Sequence, residues 1–319
     1  MKNKIISLII LSSLFIVTFA GKKISEPEVP SLTGTITISG AFALYPMAVR
    51  WAEEFKKLNP GVKIDISAGG AGKGITDVLS GTADIGMVSR DINAEETKKG
   101  AYPIAVTKDA VLPTISSANP NLNELLKKGM KRQGFIDLWV TGKSKTWGQA
   151  AGIKSNAPIH VYTRSDAAGA SETWAKYLGK KQEDLLGVGV FGDPGLATAV
   201  KKDPVGIGYN NIAYVYDSKT KQSTNGVKVI PIDINNNGMI DTDENFYDNV
   251  DQVIDAISKG KYPSPPARDL YFVTKGKPSN PALIEFIKYA ITEGQKFVHE
   301  SGYINLSSEK LQSELSKLK

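Results

Sequence analysis

Chemistry in this chain gathers where predicted strands run into helices. Four turns carry glycine or other small residues at such junctions: Ser39–Ala43 (SGAFA), Gly69–Gly74 (GGAGKG), Ser89–Asp91 (SRD) and Arg164–Ser171 (RSDAAGAS). A helix starting there presents backbone N–H groups with no intrahelical acceptor, together with the positive end of its dipole, and so favours an anion. Arg90 and Arg164 add forked guanidinium donors that match a tetrahedral oxyanion. One glycine-rich turn is usually only a tight turn; four of them with two arginines point to a shared site. The candidate ligand contacts are Ser39, Ala41, Phe42, Ala43, Gly72, Ser89, Arg90, Arg164, Gly169, Ala170 and Ser171.

A second pattern is more specific. Residues 233–244, DINNNGMIDTDE, fit the calcium-loop spacing D-x-[DN]-x-[DN]-G-x₅-E at every position. Calcium would take side-chain oxygens from Asp233, Asn235 and Asn237, the carbonyl of Met239, Asp241 directly or through water, and both oxygens of Glu244. Gly238 would make the sharp turn. The preceding VKVIPI reads as a strand, so the loop stands alone and has no paired partner to switch. A structural Ca²⁺ is the expectation; the alternative is an Asn/Asp-rich surface turn without metal.

Other chemistry is poorly supplied. The 319 residues contain no cysteine and two histidines, His160 and His299. Disulfides, a catalytic thiol and an N-terminal lipid on cysteine are therefore excluded, and zinc or histidine catalysis has little to work with. GGAGKGIT lacks the first glycine of a P-loop and has Gly74 after Lys73; neither a dinucleotide fingerprint nor a G-x-S-x-G elbow occurs. No enzyme is expected. The net charge is +6, falling to +4 without Lys2 and Lys4, and its cations are dispersed. No basic stripe interleaved with aromatics suggests nucleic acid.

The elements that must hold the turns follow from periodicity. TITISG, VKIDISA, ADIGMVS, IHVYT, GIGYN, VKVIPID and DLYFVT read as strands, with helical patterns between them. In LYPMAVRWAEEFKKL the residues Leu44, Met47, Ala48, Trp51, Ala52, Phe55 and Leu58 share one face, and Asn59–Gly61 ends the helix. PALIEFIKYAITEGQKFVHESGY reads as one long amphipathic helix near the C-terminus. Alternating strands and helices imply an α/β protein with parallel sheets covered on both faces. Residues 1–20 have two lysines, a short apolar run and a terminal Ala20, the pattern of a secretory signal peptide; residues 21–31 form a linker.

These segments, in this order, resemble the phosphate-binding proteins of ABC phosphate importers. The resemblance rests on ISGAFALYPMAVRWAEEF, ISAGGAGKGITDVLSGTADIGMVSR, YTRSDAAGASETWAKYL, GIGYN and ARDLYFVTKGKP through EGQKFVHESGYINL, with KRQGFIDLWVTGKSKTWGQ between them. It covers nearly all of the chain after the linker. It implies a type II periplasmic-binding fold, two α/β lobes joined by two crossover strands. One lobe would combine 32–108 with 270–319, and the other would span 109–269. It further implies a monomer that captures phosphate or a similar oxyanion outside the cytoplasm and delivers it to the membrane subunits of an ABC importer. The chain departs from the family's pattern at Ala41, Phe42, Ala43, Ala71, Ala168 and Ala170, where Ser or Thr is usual. Ser39, Lys73 and Ser171 are nearby substitutes. A second expectation, motivated by the 233–244 loop, is a calcium-stabilised surface or adhesion protein that reuses the fold.

Overall fold

A computed structural model describes Leu32–Lys319; the signal-peptide and linker expectations for 1–20 and 21–31 lie outside the described residues. The first lobe opens with β1 (Gly34–Gly40), α1 (Tyr45–Leu58), β2 (Val62–Ala68), α2 (Ala71–Ser80), β3 (Ile85–Val88) and a short α3 (Ala94–Lys98). The long strand β4 (Ala101–Ser116) then carries the chain across. The second lobe contains α4 (Leu122–Lys128), β5 (Met130–Lys131), α5 (Arg132–Trp139), α6 (Trp147–Ala151), β6 (His160–Arg164) and α7 (Gly169–Leu178). It continues with β7 (Val188–Val190), α8 (Gly192–Lys202), β8 (Gly206–Asn211), α9 (Ile212–Val215), β9 (Val227–Val229), β10 (Ile232–Asp233) and α10 (Val250–Ser258). Strand β11 (Ala267–Lys275) returns to the first lobe, which ends in α11 (Pro281–Ile291) and α12 (Ser308–Ser316).

Strand order is β2-β1-β3-β11-β4-β8-β6-β7, with β9 also on β4 and a separate β10-β5 pair. Strands β1, β2 and β3 run parallel, as do β6, β7 and β8. The all-parallel expectation fails at β4 and β11, which are antiparallel to each other and to their sheet neighbours. They are the two crossover strands, and one passes outward while the other returns. Two apolar cores result. Trp51, Phe55, Phe272 and Phe286 lie in the first, and Phe135, Trp139, Trp174 and Tyr209 in the second. Along β4 the cores separate between Val106 and Ala110; along β11 they separate between Ala267 and Leu270.

Helix α1 buries Met47, Ala48, Trp51, Ala52 and Phe55, as its spacing predicts, while Leu58 in the last turn is exposed. The expected C-terminal helix is broken instead. Helix α11 stops at Ile291, Thr292 leaves helical geometry, and a 3₁₀ turn covers Glu293–Phe297. The cause is tertiary. Gly294 is pressed on Trp51, whose indole N–H donates to its carbonyl at 2.9 Å; a Cβ there would lie 2.8 Å from the ring.

The first turn of α2 is seated directly on the ends of β1 and β3. A Cβ on Gly74 would stand 2.6 Å from the Met87 carbonyl oxygen, 2.8 Å from Gly40 Cα and 2.9 Å from the Ser39 carbonyl oxygen. All three are backbone atoms of a sheet and cannot swing away. Gly74→Ala therefore sets a helix-propensity gain of about 1 kcal/mol against an overpacking cost near the upper end of about 1–3 kcal/mol. We expect a net loss of about 1–2 kcal/mol, read as a lower urea midpoint at unchanged slope. Unaltered stability would mean that α2 can rise off the sheet.

Candidate functional site

Backbone hydrogen bonds gather the predicted turns. The N–H groups of Gly69 and Gly70 both donate to the Gly40 carbonyl, at 2.8 and 3.1 Å, and Ala41 N–H donates to Met87 at 2.9 Å. The first two turns are thus tied to the ends of β1 and β3. In the second lobe a buried hydroxyl performs the same task. Tyr209 of β8 bonds Thr163 Oγ1 at 2.6 Å, Ser171 Oγ at 2.8 Å and the Arg164 N–H at 3.2 Å, fastening the end of β6 to the start of α7.

The lobes meet at these turns. Gly72 N–H in the first turn of α2 donates to the Ala167 carbonyl at 3.0 Å. A Cβ on Gly72 would lie 2.5 Å from Ala167 Cβ, and one on Gly169 would lie 2.3 Å from Ser89 Oγ. The ring of Phe42 covers Arg164, 5.5 Å from guanidinium carbon to ring centroid, and meets Phe191 edge-on at 6.0 Å. Tyr214 Oη donates to the Phe42 carbonyl at 3.0 Å. Around this seam the N–H groups of Phe42, Ala43, Ala71, Gly169 and Ala170 donate to no protein acceptor among the described residues. Donors of this kind suit an anion bound between the helix ends of α2 and α7.

Arg164 lies at the centre of the site, with its side chain only 1% exposed. Its Nε and Nη2 bind Asp166 at 2.8 and 2.5 Å, and its Nη1 binds Asp193 at 2.6 Å. One N–H on each terminal nitrogen is left for a guest. Burial alone would lower the Arg164 pKa, but the two carboxylates outweigh that and raise it, so the cation is secure. Arg90 has a different setting. Its guanidinium binds Glu96 at 2.6 and 2.9 Å and the Asp91 carbonyl at 2.8 Å, and its Nε reaches Glu172 across the seam at 2.9 Å. It bridges the lobes. Ser39 donates to Asp77 at 2.6 Å, Lys73 also pairs with Asp77, and Ser171 is committed to Tyr209. The three substitutes for missing hydroxyls are therefore already engaged. Of the predicted contacts, Phe42, Gly72, Ser89, Arg164, Gly169 and Ala170 adjoin the seam, with Ala41 and Ala43 in the turn beneath.

Sequence reasoning missed Asp166, Asp193, Asn211, Tyr209 and Arg268. Only Asp166 had a local signal, two residues after Arg164. The predicted calcium loop is a separate feature behind β10: Ile240 N–H donates to the Lys127 carbonyl, and Lys131 donates to the Asn236 carbonyl. A cavity of about 380 Å³ flanks the seam, lined by Arg90, Lys108, Glu172, Lys176, Arg268 and Tyr271. Its rim cations Arg90 and Lys176 are paired with Glu172 and Asp91.

A family model described as a PBP superfamily domain matches residues 25–293. The chain belongs to the PBP superfamily. Within it, the phosphate-binding protein PstS of Bacillus subtilis (strain 168) is 28% identical over 241 residues, covering 71% of this chain and 77% of that protein. PstS of Methanocaldococcus jannaschii is 25% identical, covering 88% and 85%. Among solved structures, a candidate phosphate ABC transporter substrate-binding protein from Clostridium perfringens, with phosphate bound, superposes with a TM-score of 0.70. It is 25% identical and covers 86% of this chain and 100% of that one. An ABC-type phosphate transport receptor from Vibrio cholerae shares the fold, with a TM-score of 0.61 at 20% identity. No helix among the described residues is long and apolar enough to cross a membrane.

In this PBP-superfamily chain the cleft is wired to the crossover strands. Arg268 of β11 donates to the Gly169 carbonyl at 2.5 Å, to Thr173 Oγ1 at 2.9 Å and to Asn211. Asn211 in turn donates to Asp193 at 2.6 Å. Asp109 of β4 lies 3.6 Å from Arg268. Burial pushes the Asp109 pKa up from 3.8 to about 6, against the pull of Arg268. Since its folded pKa lies above its unfolded one, Asp109 contributes stability that is present below pH about 4 and lost as pH rises through about 6. Asp109→Asn keeps the shape and cannot ionise. From pH 4 to 7, its stability relative to the parent should improve by on the order of 2 kcal/mol, measured by urea unfolding. A difference that stays flat would show that Asp109 does not titrate in that window.

Proposed function

We propose that the chain is an extracytoplasmic solute-binding protein, not an enzyme, that captures phosphate in the seam and hands it to the membrane subunits of an ABC importer. It acts as a monomer that is exported by its first twenty residues. Its lobes divide as 32–108 with 270–319 and 109–269, in keeping with the two apolar cores. The observation that carries this reading is the meeting of the α2 and α7 N-termini with buried Arg164 where the lobes touch. Phosphate-binding relatives over most of the chain support it.

Charge balance favours one oxyanion over others. Asp166 and Asp193 offset Arg164, so net charge is not what draws the guest; oriented N–H dipoles and the guanidinium fork do so. Beside two carboxylates, an oxyanion that carries a proton is a better guest than one that carries none. Phosphate near neutral pH has one; sulfate and molybdate do not.

Calorimetric titration should give saturable binding of phosphate at one site, with sulfate and molybdate weaker. Arg164→Lys keeps a cation for Asp166 and Asp193 but loses the fork, and should weaken phosphate at least tenfold. Arg164→Ala would also strand two buried carboxylates, so its folding needs checking by circular dichroism. Ala168→Ser places one hydroxyl at the N-cap of α7 and should tighten phosphate by about tenfold or more, at about 1.5–3 kcal/mol per bond to a charged group. No heat with any oxyanion would defeat the proposal, and a saturable protein or glycan partner in its place would favour a surface-adhesion role.

A further inference from the structure

The loop from Asp233 to Glu244 is folded around its own carboxylates. Asp233 Oδ2 accepts the Gly238 N–H at 2.8 Å, so the side chain is directed into the loop. Its other oxygen, Oδ1, is buried with no hydrogen-bond partner, in a residue only 2% exposed. Glu244 is 5% exposed and turns inward, Oε1 accepting from Ile234 and Asn235 N–H at 2.8 and 2.9 Å. Asp241 Oδ2 accepts both the Asn235 and Asn237 amides, at 2.8 and 2.7 Å. Among the described residues no Lys, Arg or His forms a salt bridge to Asp233, Asp241 or Glu244; Lys261 pairs instead with exposed Asp243, and Lys131 with a carbonyl.

Buried carboxylates are normally paired with a cation or coordinate a metal, because leaving their charge desolvated is costly. Here the compensation in place is a handful of N–H dipoles, and one oxygen lacks even that. The remaining positions suit a hard cation. Met239 exposes 53% of its surface, so its side chain does not fill the loop interior. Gly238 has φ +90°, and a Cβ there would meet nothing within 4 Å; its glycine is required by the turn and not by crowding. The three acids do not form a metal cluster by themselves. The donor set is completed by the Asn235 and Asn237 oxygens and the Met239 carbonyl, an all-oxygen set for the larger, more flexible Ca²⁺ in preference to Mg²⁺.

We propose that Asp233, Asn235, Asn237, Met239, Asp241 and Glu244 form a Ca²⁺ site that braces the second lobe. The loop is well placed to do so. Strand β10, which ends in Asp233, pairs with β5, and Ile240 bonds α4. Fixing the loop therefore fixes the α4–β5–α5 corner.

The test uses the full chain, stripped with chelator, titrated with CaCl₂ and, separately, MgCl₂, by calorimetry and thermal unfolding. One Ca²⁺ should bind with a dissociation constant of about 10⁻⁵–10⁻³ M, raising the melting temperature with concentration, and Mg²⁺ should bind at least tenfold more weakly. Asp233→Asn and Glu244→Gln retain acceptor oxygens for the backbone N–H groups, so each should fold yet bind Ca²⁺ at least tenfold more weakly. Asp243→Asn, whose carboxylate points to Lys261, should bind as the parent does. No saturable binding up to about 10 mM, or equal binding by Asp233→Asn and Glu244→Gln, would overturn the proposal.

Discussion

Arg268 and Asp109 face each other where the two crossover strands pass between the lobes, and the cleft is built outward from them. In the β4–β11 register Arg268 opposes Asp109 and Asp269 opposes Lys108. The first pair is buried and the second is half-buried. A buried guanidinium needs several acceptors, and Arg268 finds them on the first turn of α7 and on Asn211 of β8. A chain of polar contacts then runs through Asp109, Arg268, Asn211, Asp193, Arg164 and Asp166, with the neutral amide of Asn211 linking the charged groups on either side, and ends at the turn that faces the first lobe. Breaking one buried pair in such a chain typically costs about 3–5 kcal/mol. The crossover strands and the Arg164 turn are thus parts of a single electrostatic unit.

The seam uses backbone where many proteins use side chains. Small residues allow Gly72 to bond Ala167 and Gly169 to lie against Ser89, so that the helix ends of both lobes come together. The alanines at the turns remove hydroxyls but keep every N–H. Phe42 adds an apolar cover over Arg164, which lowers the local dielectric and strengthens each remaining polar contact. Arg90–Glu172 and Lys176–Asp91 close the rim with opposite charges from opposite lobes.

The 233–244 loop and the second lobe's side of the seam occupy different parts of that lobe. The loop packs against the α4–β5 corner, while the seam is built from the ends of β6 and α7.

Much of this was legible in the chain alone, because its signals are local. The apolar spacing of α1, the strand-to-helix turns, Arg164 and the spacing of Asp233 to Glu244 are patterns within one element or one loop, where geometry is set by chain neighbours. Tertiary structure decided what those groups are attached to. It assigned Arg90 to Glu96 and Glu172, Ser39 to Asp77 and Ser171 to Tyr209, and it broke the last long helix where Gly294 meets Trp51. Arg268 reaches Gly169 across 99 residues of sequence, a contact that exists only once β11 has come back beside β4. Strand register is a property of the whole sheet, and hydrogen-bond donors take the acceptor that folding brings nearest; neither is encoded at the position where it acts.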